Sequence, residues 1–282
     1  MVGMPTLLVK PALLELVVQP DRDAHAVRIF RRMALGLELL DELGIAEDTF
    51  VMYSTDNGPH RNSWPDAGMT PFRSEKNTNW EGAFRVPLLV RWPGKIKAGS
   101  ISNGIVQHHD WLPTFLAMAG DTEIMEKLKK GYKAIGRTYK NHIDGFNLVP
   151  YLTGEVTESP RNIYFYFSDD GDVLGVRFDN WKFVFMEQRC KGTLQVWAEP
   201  FIRLRVPKMF NLRTDPYEFA DTTSNSYWDW MFRNAFFVAL AQAAVGKFAE
   251  TFKEFPAIQK PNTFTLDDAM TKMSEAATAT SH

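Results

Sequence analysis

The chain has 282 residues, of which 45% are hydrophobic and 23% are charged, and its formal net charge is −2 at pH 7. These values are typical of a globular protein, and the length suffices for one large α/β domain or for a medium domain with a small one. No long basic run is present, so the sequence does not indicate a nucleic-acid partner. The single cysteine, Cys190, excludes an intramolecular disulfide and a cysteine metal cluster.

Neither a signal peptide nor a membrane-spanning helix is predicted. The apolar stretch from Thr6 to Val18 is interrupted by a lysine, a proline and a glutamate, and no basic region precedes it. The most apolar later run, Trp230 to Val245, contains polar residues and is too short to cross a bilayer. We therefore expect a soluble chain with no membrane partner, and the sequence assigns it to no particular compartment.

The predicted elements of the first half favour an α/β layer. Residues 1–24 show no clear period and are predicted to form an atypical N-terminal segment. From Ala26 onward apolar residues recur at steps of three and four, which predicts an amphipathic helix with Gly44 as its C-cap. Two apolar runs, Thr49 to Ser54 and Val86 to Trp92, are predicted as buried strands separated by a loop-rich stretch. A helix followed by apolar strands is typical of an α/β layer.

The second half of the chain differs from the first, because several short predicted strands follow one another there. We predict an α/β domain over residues 25–158, a C-terminal subdomain over 159–262 and a flexible polar tail over 263–282. Within the first of these, Trp111 to Met118 is predicted as a short helix. The subdomain is predicted to contain an antiparallel sheet followed by a long amphipathic helix from Tyr227 to Phe252. Its predicted strands are Ile163–Phe167, Val173–Phe178, Trp181–Met186 and Lys208–Leu212.

An aspartate and an asparagine directly follow the first predicted strand. In open α/β sheets, ligands bind at the carboxyl ends of the strands, where Asp56 and Asn57 stand. Their carboxylate and amide oxygens are hard donors that suit Ca²⁺, and less well Mg²⁺. Because Asp-Asn-Gly is also a common turn, the residues alone leave both a metal site and a structural turn open.

Five segments resemble, in the expected order, the sulfatase family, and most of all the bacterial arylsulfatases with an Asp-Asn-Gly-Pro-His metal loop. These segments are Ser54–Pro59, Thr70–Pro87, Arg91–Gly94, Asp110–Thr114 and Phe210–Glu218. The resemblance implies the alkaline-phosphatase-like α/β fold of sulfatases, truncated at the N-terminus, with a small C-terminal antiparallel sheet plus helix. It also implies a sulfuric ester hydrolase with a sulfate ester as substrate.

The resemblance assigns roles to individual residues. Asp56 and Asn57 match the family's calcium ligands, and Lys76 matches the lysine that contacts the substrate sulfate and takes part in catalysis. A lysine suits this role, because its ammonium offsets the anionic group and can donate a hydrogen bond or proton to the leaving oxygen. His60 follows the metal loop, so it either binds substrate or is a histidine of the surface loop.

The family's nucleophile is a formylglycine, made from the first residue of Cys-x-Pro-x-Arg or Ser-x-Pro-x-Arg. Neither motif occurs in this sequence, and Cys190 is followed by Lys-Gly instead. We therefore expect the C-terminal portion of a sulfatase that does not turn over a sulfate ester alone. The alternative is a non-catalytic chain that binds sulfated ligands through a basic cleft at Lys76, Arg73 and Arg85, or that complements an N-terminal half chain. In this alternative the two arginines could instead pair structurally.

Two further interpretations are weaker. A two-metal phosphohydrolase of the same superfamily is disfavoured, because Asn57 stands where such a site would need a charged or imidazole ligand. The adjacent pair His108-His109 could suggest a metal or acid/base site, but neighbouring side chains on a strand or helix point in different directions. We expect this pair to be structural.

Overall fold

The structure is a computed structural model that describes residues 24–63 and 68–257, with side chains from residue 31 onward except that of residue 63. The predicted tail, 263–282, lies outside the described residues, as does all but the last residue of the predicted segment 1–24.

The first part of the chain alternates helices with short strands. In chain order its elements are α1 (Ala24–Glu42), β1 (Val51–Ser54), α2 (Glu81–Phe84), β2 (Leu88–Arg91), α3 (Trp111–Met118), α4 (Ile124–Lys130), β3 (Tyr132–Ala134), β4 (Arg137–Tyr139) and α5 (Val149–Thr153). The helix prediction for 111–118 is confirmed. Gly44 adopts φ +67° just after α1 and its N–H donates to the carbonyl of Asp41 at 3.1 Å, so the predicted end of this helix is confirmed too.

The two strands predicted to be buried are not. β1 and β2 pair antiparallel, with Met52 opposite Val90 and Tyr53 opposite Leu89. Met52 is 37% exposed and Leu89 is 47% exposed. Among the described residues, β1 and β2 pair in a sheet only with each other. A two-stranded sheet leaves apolar side chains in solvent unless another layer covers them.

The second part of the chain builds a four-stranded antiparallel sheet, as predicted. Its elements are β5 (Ile163–Phe167), β6 (Val173–Phe178), β7 (Trp181–Glu187), α6 (Gln195–Ala198), β8 (Ile202–Asn211), α7 (Ala220–Thr223), α8 (Tyr227–Arg233) and α9 (Phe236–Glu254). The spatial order of the strands is β5-β6-β7-β8, so each strand pairs with its neighbour in sequence. β8 begins six residues earlier than predicted.

The helices after the sheet cover one of its faces with aromatic contacts. Phe248 of α9 stacks on Phe165 of β5 with ring centroids 4.4 Å apart, and Phe237 stacks on Trp181 of β7 at 5.6 Å. Val176 and Met209 are fully buried in the core between these layers. The last helix therefore packs on the sheet, and these aromatic pairs add to the burial that holds it.

The single long helix predicted from Tyr227 to Phe252 is wrong, because two helices meet there at a bend of 67°. The side-chain amide of Asn234 donates to the carbonyl of Trp230 at 2.8 Å, and its backbone N–H also bonds back into α8. These bonds satisfy the end of α8 and stop it. No single helix in the described part of the chain is long and apolar enough to cross a membrane, although the bent pair α8–α9 meets that test of length and composition.

A buried ion cluster joins the segment around α2 to the sheet. Lys182 of β7 is fully buried, and its Nζ lies 2.6 Å from Glu218 Oε1 and 3.2 Å from Glu81 Oε1. The same ammonium donates to the carbonyl of Asn79 at 2.8 Å, and Tyr166 donates its hydroxyl to Glu81 at 2.6 Å. An ammonium is tolerated in the interior only with such partners.

The two carboxylates of the cluster differ in their acidity. Burial opposes ionisation of Glu81, but Lys182, Arg177, Arg85 and the Tyr166 hydroxyl outweigh it and lower the pKa of Glu81 to about 2. Burial raises the pKa of Glu218, against the pull of Lys182 and with a further contribution from the charge of Glu81. Three cations thus favour the ionised form of Glu81, whereas burial disfavours the ionised form of Glu218.

We expect the substitution Glu81→Gln to destabilise the protein at neutral pH and to have a smaller effect in acid. A carboxyl with a lowered folded pKa adds stability above its unfolded pKa and loses it as pH falls through the folded one. The difference from wild type should therefore shrink between about pH 4.5 and about pH 2. At neutral pH the shift corresponds to about 3 kcal/mol of unfolding free energy, measurable by urea unfolding.

The exposed Glu250 of α9 provides a matched control. Glu250→Gln should leave the unfolding free energy nearly unchanged at each pH. A Glu81→Gln deficit that stays constant from pH 7 to pH 2 would contradict the ionised state of Glu81.

Candidate active site

The segment after β1 presents the two predicted metal ligands at the surface. Asp56 is exposed and Asn57 is half-buried. The hydroxyl of Thr55 donates to the carbonyl of Asn57 at 3.0 Å, which closes a tight turn after the strand. Within the described residues, no side chain hydrogen-bonds the Asp56 carboxylate, so its oxygens are directed to solvent or to a ligand.

Two glycines bring this turn against α2. The N–H of Gly58 donates to the carbonyl of Ala83 at 2.7 Å. A Cβ on Gly58 would lie 1.8 Å from the carbonyl oxygen of Gly82, and a Cβ on Gly82 would lie 2.4 Å from the carbonyl oxygen of Arg73. Only glycine allows backbones to approach this closely, so three chain segments converge at this point.

The loop of residues 73–79, called the Lys76 loop, is hydrogen-bonded to the turn of residues 55–59, called the metal turn after its predicted role. The backbone N–H of Lys76 donates to the carbonyl of Pro59 at 2.9 Å. Its neighbour Glu75 is fully buried and accepts a 2.6 Å hydrogen bond from the N–H of Arg61. The structure therefore places Asp56, Asn57, His60 and Lys76 on adjoining loops.

Glu75 also reaches the C-terminal subdomain. It accepts a hydrogen bond from the N–H of Thr193 at 3.2 Å, and a Cβ on Gly192 would lie 1.9 Å from Glu75 Oε1. The segment between β7 and β8 is thus drawn onto the Lys76 loop. Sequence reasoning missed Glu75, although it stands next to the residue that the motif highlights.

His60 packs between Glu75 of the Lys76 loop and Thr193 of the segment between β7 and β8. Its side chain is 15% exposed, and Nε2 lies 3.7 Å from Glu75 Oε2 and 3.4 Å from the carbonyl oxygen of Thr193. A free surface histidine is therefore the wrong description. In this position His60 contacts the buried carboxylate and borders the Lys76 loop.

The two arginines of the predicted basic cleft pair structurally. Arg73 donates to Asp221 at 2.9 Å and its guanidinium lies 3.5 Å from the ring centroid of Trp80. Arg85 forms a 2.9 Å ion pair with Glu81. Both charges are compensated within the protein, which agrees with the structural pairing of these arginines that the sequence left open.

One member of the histidine pair, His109, takes part in a separate buried cluster. Asp110 is fully buried and accepts hydrogen bonds from the N–H groups of Gln107 and Phe146 and from the guanidinium of Arg161. The same guanidinium lies 2.9 Å from His109 Nε2. Burial, followed by the Arg161 charge, lowers the pKa of His109. For His109, these contacts agree with the expected structural role.

The donor set at the metal turn fits part of a calcium shell. A carboxylate and an amide oxygen are the ligands that Ca²⁺ prefers, and the ion takes six to eight of them. In the described part of the chain, no group of three or more histidine, cysteine, aspartate or glutamate side chains is arranged to hold a metal. Asp56 and Asn57 would therefore fill two positions, and the others need oxygens from water, substrate or further polypeptide.

Relatives and solved structures place this chain among known proteins. Residues 37–121 match the family model described as Sulfatase. The chain is 36% identical over 136 residues to human N-acetylgalactosamine-6-sulfatase, a match of 47% of this chain and 23% of that protein. It is 31% identical over 157 residues to an arylsulfatase of Hemicentrotus pulcherrimus, a match of 55% and 25%.

The solved structure of the PsFucS1 sulfatase from Pseudoalteromonas sp. superposes with a TM-score of 0.67 at 26% identity, over 83% of this chain and 43% of that one. Over these residues the chain is similar to members of the sulfatase family. Its fold is the alkaline-phosphatase-like fold of sulfatases. The structure of Ps i-CgsB in complex with k-i-k-neocarrahexaose, with a TM-score of 0.56 at 21% identity, agrees with this fold.

The match to other sulfatases is partial in length. This chain spans about a quarter of the two curated relatives and less than half of the PsFucS1 sulfatase. The interval that the Sulfatase model matches contains both the metal turn and the Lys76 loop.

We expect Gly58→Ala to destabilise the protein by about 1 to 3 kcal/mol, because the new methyl group would overlap the carbonyl of Gly82. The matched control is Gly36→Ala in α1, where a Cβ would meet nothing within 4 Å. Removing the backbone freedom of a helical glycine should stabilise by about 0.5 to 1 kcal/mol. Urea unfolding measures both, and equal effects of the two changes would contradict the close contact.

Proposed function

We propose that this chain provides the sulfate-contacting lysine and two calcium ligands of a sulfuric ester hydrolase of the arylsulfatase type. The observation that carries the proposal is the hydrogen bond from the Lys76 N–H to the Pro59 carbonyl at 2.9 Å. It fixes the Lys76 loop beside the turn that presents Asp56 and Asn57. An anionic ligand at this junction would meet a cation and a metal-binding turn together.

Backbone strain around Lys76 supports a functional junction. Ser74 and Asn77 flank Glu75 and Lys76 with φ of 64° and 66°, and Thr193 in the facing loop has φ of 69°. A left-handed residue other than glycine costs about 1 to 3 kcal/mol and persists only where the surroundings require it. The contacts of Glu75 and Asn77 with the facing loop are what hold this conformation.

Each proposed residue has a distinct task. Asp56 and Asn57 would hold Ca²⁺, which when bound supplies positive charge beside the sulfate group. The Lys76 ammonium would offset the negative charge of the sulfate and donate a hydrogen bond or proton to the leaving oxygen. His60 would border the anion and help to fix the loop through Glu75. The sequence has neither nucleophile motif of the family, so we propose that the chain binds sulfate esters without hydrolysing them alone.

We expect the purified chain, with calcium present, to bind inorganic sulfate and to show no turnover of an aryl sulfate. Lys76→Ala should weaken sulfate binding about tenfold, because a charge-assisted hydrogen bond is lost. Lys95→Ala, at an exposed position, is the matched control and should bind as wild type. Isothermal titration and release of the aryl alcohol measure the two properties.

Two results would contradict this proposal. Equal sulfate affinity of wild type and Lys76→Ala would remove Lys76 from the site. Turnover that disappears in Lys76→Ala would show a nucleophile other than formylglycine and overturn the non-hydrolytic part.

A second candidate is a complementing chain that joins an N-terminal half of a sulfatase. The observation that favours it is a row of exposed leucines along and after α1: Leu35, Leu39 and Leu43 are 55%, 51% and 60% exposed. Such an apolar row, together with exposed Met52 and Leu89 on the small sheet, is typical of a surface that packs against more polypeptide.

For complementation we expect the chain to co-purify with the part of the PsFucS1 sulfatase that it does not match. The double variant Leu35→Glu/Leu39→Glu should lose this complex, because it places two charges in the apolar interface. Leu240→Glu, at a 63% exposed position on α9, is the matched control and should keep it. Complex formation that is the same for both variants would argue against α1 as the contact.

A further inference from the structure

An exposed tryptophan from the C-terminal subdomain stands beside Lys76. Trp197 belongs to α6, in the connection between β7 and β8, and is 52% exposed. Its ring centroid lies 5.7 Å from Lys76 Nζ. Half of this large apolar side chain is therefore open to solvent at the place where the proposed function puts the sulfate group.

The connection that carries Trp197 is firmly attached. Its neighbour Val196 is 1% exposed, and the carbonyl of Val196 accepts a 3.0 Å hydrogen bond from the side chain of Asn77, next to Lys76. The side chain of Gln188 donates to the carbonyl of Glu199 at 2.8 Å.

A second set of bonds fixes the start of this connection. The N–H of Thr193 bonds to Glu75, and the guanidinium of Arg61 donates to the carbonyl of Lys191 at 3.2 Å. The backbone is thus held on both sides of Trp197, which limits the positions that its indole can take beside Lys76.

The chemistry of a sulfate ester matches this pair of side chains. The ester has an anionic end, which an ammonium binds, and an alcohol end, which, when it contains a ring, offers an aromatic or C–H face for stacking. An indole face binds planar or ring-shaped groups by stacking and by burial of apolar area. We propose that Trp197 is a specificity-determining residue, whose indole is the platform for the ring of the alcohol moiety. This inference rests on the proposed function of Lys76.

The test compares four probes in the full chain with calcium: inorganic sulfate, methyl sulfate, 4-nitrophenyl sulfate and glucose 6-sulfate. The variants are Trp197→Ala, Trp197→Phe and, as a control, Trp228→Ala at another exposed tryptophan. Trp197→Ala should weaken the ring-bearing probes about five- to tenfold and change inorganic and methyl sulfate less than twofold. Trp197→Phe should restore most of the affinity, and Trp228→Ala should change nothing. The two ring probes distinguish an aryl from a sugar alcohol.

Several outcomes would overturn the inference. An equal loss of affinity for all four probes would mean that Trp197 affects binding only by positioning Lys76. No loss of affinity for any probe would mean that the indole contacts no ligand. In both cases sulfate binding by wild type would leave the proposed function intact. Failure of wild type to bind inorganic sulfate, with Lys76→Ala unchanged, would overturn both.

Discussion

The buried ammonium of Lys182 is the contact on which the arrangement of this protein depends. It lies between the carboxylates of Glu81, from α2, and Glu218, from the segment after β8. A charge removed from water is stable only with such partners, so α2 is fixed against the sheet. Because Gly58 packs on Gly82 within α2, the same contact also determines where the metal turn lies.

A second buried charge, the Glu75 carboxylate, fixes the loop that carries Lys76. It accepts hydrogen bonds from one loop at Arg61 and from another at Thr193, so the Lys76 loop has a support on each side. The left-handed conformations of Ser74 and Asn77 persist because these contacts outweigh their strain. A lysine that binds an anion gains from this, since its backbone is fixed before the ligand arrives.

The proposed sulfate site combines residues from the α/β part and from the C-terminal sheet. Asp56, Asn57 and Lys76 stand on loops of the α/β part, whereas Trp197 comes from a connection of the C-terminal sheet. Loops on a rigid scaffold can change without disturbing the elements that support them.

The periodicity of the sequence predicted elements but not their surroundings. The strands Ile163–Phe167 and Val173–Phe178 were predictable, because turn residues separate short β-rich runs there. The burial of β1 and β2 was predicted wrongly, since burial depends on a covering layer that a local pattern does not specify. The break between α8 and α9 was missed because it depends on hydrogen bonds of a single residue, Asn234.

The sequence by itself determined the motif order, the oxygen donors Asp56 and Asn57, the cation Lys76 and their resemblance to sulfatases. Only the tertiary structure decided that Arg73 is neutralised by Asp221, 148 residues away, and that Lys182 meets Glu81, 101 residues away. It also brought Trp197 to Lys76. These pairings arise from how loops and sheet close on one another, and no local spacing of residues encodes contacts over such separations.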